Sequence, residues 1–426
     1  MMTIDNKVVK RNIWLWGIYY LANSIMTICF TMYFSQWIII DNGVHDFWYG
    51  LVFSIATAAV LITSPFFGAW SDNIKQRKPF VTLFTIFISL SSIVLGIIAP
   101  SNLPQYLKIP LSLLMFFLFQ YCYQLVLVFF NSMLYDISNK NNIGMLSGIG
   151  EFFNNFGTLI GLFLFLPIAN GKFALLSGEM GRSQVFFAGA LLSILLSLPM
   201  LFIYKEEKKK REKKYNMLNV KSIYLTFFKG LKNIIKHDKN VFRFLISFYF
   251  ISDAVLTFGL YIAIYFSEVW MLSDTLKTLV LGVTFISLLP GTYIFGLLCQ
   301  KYSPKKLYFF TASSLSIILI VISLIKANLV LLFIIFFIIG LTQGGLFTIS
   351  RLLFINISPK DKLGEYFGYY SVFQRFASVI GPLIWGLTVF VLSKYPVMKY
   401  RVSVLFLGLI ILLGIYFLVK VKEVKK

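Results

Sequence analysis

The sequence predicts an all-α membrane protein of twelve spanning helices, arranged as two homologous bundles of six. Three observations carry that expectation: the composition, the length of the apolar runs, and an internal repeat. Of the 426 residues, 58% are hydrophobic and only 13% are charged. The mean hydropathy is +0.81, far above that of a soluble domain. A hydrocarbon core about 30 Å thick asks for roughly 20 apolar residues per helix. The apolar runs here reach that length without the strict alternation a barrel strand needs, and only helices or closed barrels satisfy their backbone in lipid.

The spans are expected near 13–39, 48–70, 79–99, 109–134, 145–168 and 185–204, then 241–267, 278–300, 307–325, 329–350, 365–391 and 401–420. This places one bundle at 1–204, a basic linker at 205–240 and the second bundle at 241–426. The repeat supports that division. Residues 147–162 and 367–382 align with Gly148/Gly368, Phe153/Phe373, Phe156/Phe376, Ile160/Ile380 and Gly161/Gly381 identical. Asn154/Gln374 is a similar pair, and Ile137-Ser138 upstream meets Ile357-Ser358. Span 5 therefore resembles span 11.

The formal charge of +22 suggests a nucleic-acid partner until the lysines are placed. Of the 39 Lys and Arg, 29 lie in the even-numbered connections and at the termini, against eight in the odd-numbered ones. By the positive-inside rule both termini and the linker are cytoplasmic, and the charge answers to membrane lipid rather than nucleic acid. In the linker, Ile223, Phe227, Leu231, Ile234 and Ile235 recur at helical spacing among Lys221, Lys229, Lys232 and Lys236. The pattern is that of an amphipathic helix on the inner membrane face, or of a plain solvated tether. The first apolar run is too long for a cleavable signal peptide. Cys29, Cys122 and Cys299 sit in or beside apolar runs, and His45 and His237 stand apart, so neither a metal site nor a cofactor is expected.

Polar residues inside a bilayer are expensive and are site candidates by default. Span 1 offers Asn23 and Thr27, stacked one turn apart. Span 4 offers Gln120, Gln124 and Asn131, whose spacing keeps them in one stripe, either lining a pathway or gluing helices together. Glu151 and Asn154 share a face at the start of span 5, and Gln343 lies in span 10. Asp253 lies halfway along span 7 with Tyr261 two turns on, and Gln374-Arg375 lie in span 11. A lone buried charge needs a partner or water, so Asp253 and Arg375 are expected either to form a structural ion pair, with each other or with Arg243, or to hold the two ends of a zwitterion. Asp253 is also a candidate to cycle a proton.

After span 2 the segment Gly68-Ala-Trp-Ser-Asp72, followed by Lys75, Arg77 and Lys78, resembles the signature loop of the major facilitator superfamily. Its acid and basic cluster imply a gating latch at the inner membrane face. The matching place after span 8 keeps Gly296 and Lys305-Lys306 but has no acid. Ala22-Asn23-Ser24, Asn131 with Asp136-Ile137, Ser147-Gly148-Ile149-Gly150 and Asp253 extend the likeness. Gln343-Gly344-Gly345, Ser350-Arg351 and Glu365-Tyr366-Phe367-Gly368 through Arg375 and Gly381-Pro382 continue it. In this order they resemble the vacuole-effluxer-like, autophagy-related family of that superfamily, with departures at Tyr19-Tyr20, Glu151 and Ser252. The resemblance implies the major facilitator fold and efflux of a small solute, an amino acid in the fungal namesake.

The expected function is a secondary-active or facilitative carrier of a small polar solute, with a proton as candidate coupling ion, in a bacterial inner membrane. A cation-coupled sugar symporter would show paired carboxylates on spans 2 and 4, where only the terminal Asp136 stands. A lipid translocator and a non-transporting scaffold are also compatible with a twelve-span chain. No zinc, paired-aspartate or serine-nucleophile motif points to an enzyme.

Overall fold

The computed structural model describes residues 6–74, 76–138, 143–206, 220–326 and 328–422. Among these residues, twelve helices are long and apolar enough to cross a membrane. Six come first: α1 (Asn6–Ile28), α2 (Asp46–Ile74), α3 (Lys78–Ile98), α4 (Gln105–Ile137), α5 (Ile143–Leu164) and α6 (Val185–Phe202). After a linker helix (Val220–His237) come α7 (Lys239–Glu268), α8 (Asp274–Lys301), α9 (Pro304–Leu324) and α10 (Leu329–Ile357). The eleventh helix is in two pieces, α11a (Leu363–Phe376) and α11b (Ile380–Val391), and α12 (Met398–Val419) ends the set.

Two helices depart from the regular form expected of them. α1 does not stop at Ile28 but continues as wider π-turns over Cys29–Phe34 and Trp37–Asp41. There Ser35 Oγ donates to the Thr31 carbonyl at 2.8 Å and Gln36 Nε2 to the Met32 carbonyl at 2.9 Å, side chains that occupy backbone acceptors and loosen the turn. Helix 11, expected as one span over 365–391, breaks at Ala377–Val379. The cause is Pro382: it offers no N–H, and its ring clashes with the carbonyl four residues back, that of Ser378. Pro65, Pro110, Pro199 and Pro290 are accommodated inside unbroken helices.

The chain forms two compact units, Met1–Asn42 with Ile55–Tyr224, and Gly43–Ser54 with Leu225–Lys426. The expected boundaries at 204 and 241 are thus displaced in two places. The linker helix is shared between units, and the first turns of α2 belong to unit 2 because they pack on α7 and helix 11. A methyl at Gly386 would lie 2.8 Å from Phe47 Cα, one at Gly50 would collide with the Tyr261 hydroxyl, and Ser54 Oγ donates to the Val379 carbonyl at 2.8 Å.

Within each unit the helices associate through small residues, as expected where apolar burial alone does not favour helix pairing in lipid. In unit 1, Gly157 and Gly161 of α5 press on the backbone of Leu21 and Ile25, Gly189 of α6 meets Cys29, and Gly96 of α3 meets Phe187. Unit 2 repeats the scheme: Gly381 of α11b meets α7, Gly414 of α12 meets Ser247 and Ile251, and Gly408 of α12 meets Ser316 and Ile320. One pairing differs. α8 and α10 are in backbone contact, Gly291 lying on Leu341, Gly340 on Thr284 and Gly344 on Leu288. Their counterparts α2 and α4 are joined instead by longer side chains, Gln124 Nε2 donating to Thr57 Oγ1 at 2.8 Å and Tyr121 to Thr63 Oγ1 at 3.0 Å.

The ends are tied in the same way in both units. Asn12 Nδ2 donates to the Lys205 carbonyl at 2.9 Å and its Oδ1 accepts the Lys205 N–H at 3.4 Å. Asn240 makes the same pair of bonds with Lys422, both at 2.6 Å. Of the amphipathic linker, the side chains of Lys221, Ile223 and Phe227 lie outside the described residues. Ile234 is buried and Leu231 half-buried, while Phe228 and Ile235 are exposed beside Lys229, Lys232 and Lys236.

Candidate functional site

In unit 1 the candidate residues fall into two seams. Along α1 and α5, Asn23 and Thr27 turn back on their own helix, donating to the carbonyls of Tyr19 and Asn23 at 2.9 Å each. Ser24, absent from the polar candidates above, makes the contact between helices: its hydroxyl reaches Asn154 Oδ1 at 2.5 Å, and Asn154 Nδ2 donates to Glu151 Oε2 at 3.3 Å. Glu151 is therefore tied to α1 through Asn154. Tyr19 closes the group with a 2.5 Å bond to Thr85 of α3.

The amide stripe of α4 does not share one environment. Gln120 is buried, Gln124 is half-buried and bonded to α2, and Asn131 is exposed. The neighbours of α4 cover only part of its length.

The loop after α2 meets an acid that comes from the segment following α6. Asp72 lies in the last turn of α2, and its side chain is outside the described residues, as is Lys75. The partner seen at the basic cluster is Glu206, whose two oxygens accept the backbone N–H of Arg77 at 2.7 Å and of Lys78 at 2.9 Å. A carboxylate on the free N–H groups at a helix start is favoured by both hydrogen bonding and the helix dipole. Arg77 reaches the Ser132 carbonyl at 2.7 Å and Lys78 the Tyr204 carbonyl at 2.6 Å, while nothing lies within 4 Å of a methyl placed on Gly68. At the corresponding place in unit 2, Ser303 Oγ accepts the Lys306 N–H at 3.3 Å and Lys305 reaches the Val419 carbonyl at 3.0 Å. The asymmetry in acids is legible in the sequence; Glu206, inside a run of lysines, gives no signal of its own.

Unit 2 corrects the expected ion pair. Asp253 is 1% exposed, and its Oδ1 accepts the Gly381 N–H at 2.9 Å. It pairs with neither Arg375 nor Arg243. Arg243 lies near the start of α7 and donates to the Lys420 carbonyl at 3.3 Å. Arg375 and Gln374, both half-buried, occupy the last turn of α11a, where the Arg375 carbonyl accepts the Ser378 N–H at 3.1 Å. The break in helix 11, which no span drawn through Pro382 anticipates, is what brings a backbone donor to the acid. Gln343 is half-buried on α10, next in the chain to Gly344 and Gly345.

Tyr261 is fully buried in an aromatic cage around Asp46, a residue that the apolar pattern puts in a loop. Its ring stacks on Trp385 at 4.6 Å and meets Tyr49 edge-on at 5.7 Å. Asp46, 2% exposed, accepts from Trp385 Nε1 at 3.3 Å and the Tyr400 hydroxyl at 3.2 Å, and its carbonyl accepts from Tyr261 at 3.5 Å. Next to it His45 Nδ1 accepts the Phe47 N–H at 3.1 Å and lies edge-on to Phe390. Burial first, and Lys399 second, hold the His45 imidazole below its ordinary range, so it is a neutral acceptor at pH 7.

Among the described residues no cluster of three or more His, Cys, Asp or Glu could hold a metal ion. The free cysteines Cys29 and Cys122 are buried in helix contacts, and Cys299 is half-buried.

Two like-packed sets of spanning helices, with polar groups along α1, α4, α5 and α7, define a membrane transporter of the major facilitator type. The family model described as MFS/sugar transport protein matches residues 17–420, and the chain belongs to that family. It is 24% identical over 414 residues to the uncharacterized MFS-type transporter YxiO of Bacillus subtilis, covering 93% of each chain. It is 24% identical over 371 residues to multidrug resistance protein MdtG of Escherichia coli, covering 85% of this chain and 83% of that one. The likeness to Autophagy-related protein 22 of Vanderwaltozyma polyspora is 28% over 224 residues, half of this chain and 42% of the other, not the nearly full length its motifs suggest. Among solved structures, the nucleoside transporter NupG superposes with a TM-score of 0.74 over 97% of this chain and 100% of that one at 13% identity. A bacterial homolog of the human lysosomal transporter Spinster gives 0.73 over 98% of both, also at 13%. At those identities the likeness is one of fold.

Proposed function

We propose that this protein is a carrier of a small polar solute, secondary-active or facilitative, working by alternating access of its two halves. The observation that supports this most directly is the repeated construction. Each half ties its first helix to the peptide after its last through one asparagine, Asn12 or Asn240. Each also presses a glycine of its fifth helix, Gly161 or Gly381, onto its first. Two halves of one design are what rocking about a central site requires.

An amino acid is the solute class favoured here. Arg375 of α11a, half-buried in its span, is a cation that can meet the carboxylate of such a solute. The partial likeness to Autophagy-related protein 22 supports the same reading and, with it, export. The distribution of lysines supports cytoplasmic termini in a bacterial inner membrane. The family description gives a sugar a specific claim as the second reading.

The test is uptake and counterflow in proteoliposomes, with labelled amino acids, sugars, nucleosides and drugs compared in one panel. Selective amino-acid exchange, competed by a narrow set of analogues and reduced in Arg375→Gln, is the expected result. Sugar exchange with no amino-acid exchange transfers the assignment to the second reading. No exchange of any solute removes the carrier reading itself.

A further inference from the structure

The chemistry around Asp253 is unlike anything at the equivalent place in unit 1. Asn12 and Asn240 correspond, and at the same separation along the chain Ser24 corresponds to Ser252 and Ile25 to Asp253. The glycine that faces this position is Gly161 in unit 1 and Gly381 in unit 2. In unit 1 the nearest atoms to a methyl at Gly161 would be the Ile28 side chain and, at 3.2 Å, the Ile25 backbone. α5 runs through this point unbroken, and Leu162, not a proline, follows the glycine. In unit 2 the same step carries an acid on α7, a proline after the glycine, and a broken helix. The acid and the break occur together, in one half only.

The oxygens converge there. A methyl on Gly381 would run into Thr257 Oγ1 and lie 2.9 Å from Asp253 Oδ1, so both atoms close on one bare Cα. The Gly381 N–H, which in a continuous helix points to the carbonyl of Ala377, is given to Asp253 at 2.9 Å. Thr257 is 1% exposed and Ser252 fully buried, and neither hydroxyl has a hydrogen-bond partner. A threonine in a helix ordinarily returns its hydroxyl to the carbonyl one turn back; Thr257 does not.

No cation accompanies the acid among the described residues. Tyr249, one turn earlier on α7, is a titratable neighbour, and its hydroxyl has no partner either. α12 presents Gly414 and α10 presents Phe336 to α7, neither of which titrates. From helix 11, Arg375 precedes the break and makes no bond to Asp253.

A buried carboxylate with one oxygen engaged, an orphan hydroxyl one turn along the same face, and the start of a half-helix form an incomplete coordination sphere. Unpaired buried polar atoms are costly and ask for an explanation, and here two oxygens converging on one bare Cα beside a free helix start supply it. Discontinuous helices inside a membrane are tolerated where they line such places. Glycine is required at 381 because any side chain would fill the spot.

We propose that Asp253 and Thr257, against the Gly381 break of helix 11, form the binding site of the coupling cation of the transport cycle. The occupant is a small monovalent cation, a proton or a sodium ion, that neutralises Asp253 and engages the Thr257 hydroxyl. A proton would sit on the free Asp253 oxygen and be donated to Thr257; sodium would be shared between the two oxygens. This rests on the carrier reading for its role in transport, but not for the binding itself.

The experiment therefore measures the cation without any solute. Full-length protein in detergent is tested for saturable binding of radiolabelled sodium, and separately for proton uptake and release after a pH jump, followed with a soluble dye. Wild type is compared with Asp253→Asn, which keeps an acceptor for Gly381, with Thr257→Val, which keeps the shape, and with Gly381→Ala. Monodisperse elution and an unchanged helical circular-dichroism signal certify that each variant is folded. Sodium binding weakened at least about tenfold in all three variants, as for loss of a ligating or supporting group, identifies sodium. No sodium binding, with one wild-type proton missing from Asp253→Asn, identifies the proton. Sodium binding and proton release both unaltered in Asp253→Asn overturn the proposal and leave the acid as a cap for the broken helix. Cation binding that depends on Asp253, with no solute exchange in the panel above, retains the site while removing the carrier reading.

Discussion

Glycines in this chain have opposite meanings within a single helix. On α5 a methyl at Gly157 would lie 2.5 Å from the Leu21 carbonyl oxygen and 2.9 Å from its Cα, whereas at Gly148 it would meet nothing within 4 Å. The neighbour at Gly157 is backbone and cannot rotate aside, so α1 and α5 must part. Gly157→Ala is expected to lower stability by about 1–3 kcal/mol, the usual range for overpacking. Gly148→Ala is expected to be neutral or to gain up to ~1 kcal/mol from helix propensity. Thermal unfolding in detergent distinguishes them, and equal melting temperatures for the two variants would contradict the close contact. Neither outcome is legible in the sequence, where both are glycines in one apolar run.

α2 is a single helix that serves two units, and Asp46 is the fastening at its unit 2 end. Removing the carboxylate leaves Trp385 Nε1 and the Tyr400 hydroxyl buried without the acceptor they now share. Each such loss is worth about 1–3 kcal/mol. Asp46→Ala should therefore melt well below wild type, and Asp46→Asn, which retains an acceptor oxygen, should fall between them. A cysteine at Ser54, in a background without Cys29, Cys122 and Cys299, should become more reactive to thiol reagents in the Asp46→Ala variant as the first turns of α2 loosen from Val379. Unchanged reactivity together with unchanged melting would mean that the cage holds nothing in place. Other elements show how far patterns carry. α3, α9 and α12 are continuous apolar runs, and their ends fall within a few residues of where the pattern puts them. Helix 11 does not follow its pattern, because its break comes from the absence of one N–H at Pro382 and is completed by Asp253, far away in sequence.

Over the whole molecule the repeat goes deeper than the stretch of identities that reveals it. Asn12 and Asn240 each hold the peptide that follows the last helix of their half, Lys205 and Lys422, with two bonds. Asn12→Ala, which loses partly buried bonds, is expected to cost about 1–3 kcal/mol, and Asn240→Ala, which loses exposed ones, about 0.5–1.5 kcal/mol, the two adding when combined, since they lie in separate units. Differential scanning of the two single variants and the double variant checks this. A strong effect from one asparagine alone would show that the two ends are not equivalent. The halves also differ: α8 and α10 meet through glycines, α2 and α4 through Gln124 and Tyr121, and among the described residues the buried acid on the first helix and the broken fifth helix occur in unit 2.

Composition and pattern alone determined that this is a membrane bundle, that twelve runs span it, that the runs repeat as six and six, and that Asp253 is a buried acid of interest. Those properties follow from what each residue does in lipid, which depends on its own polarity and its near neighbours in the chain. The tertiary structure decided who answers whom: that Asp253 meets the Gly381 N–H rather than an arginine, that Glu206 caps the start of α3, and that Asp46 lies in a cage of Trp385, Tyr400 and Tyr261. Partners of this kind are chosen by the approach of helices far apart in sequence, and that approach is set by which glycines let two backbones touch.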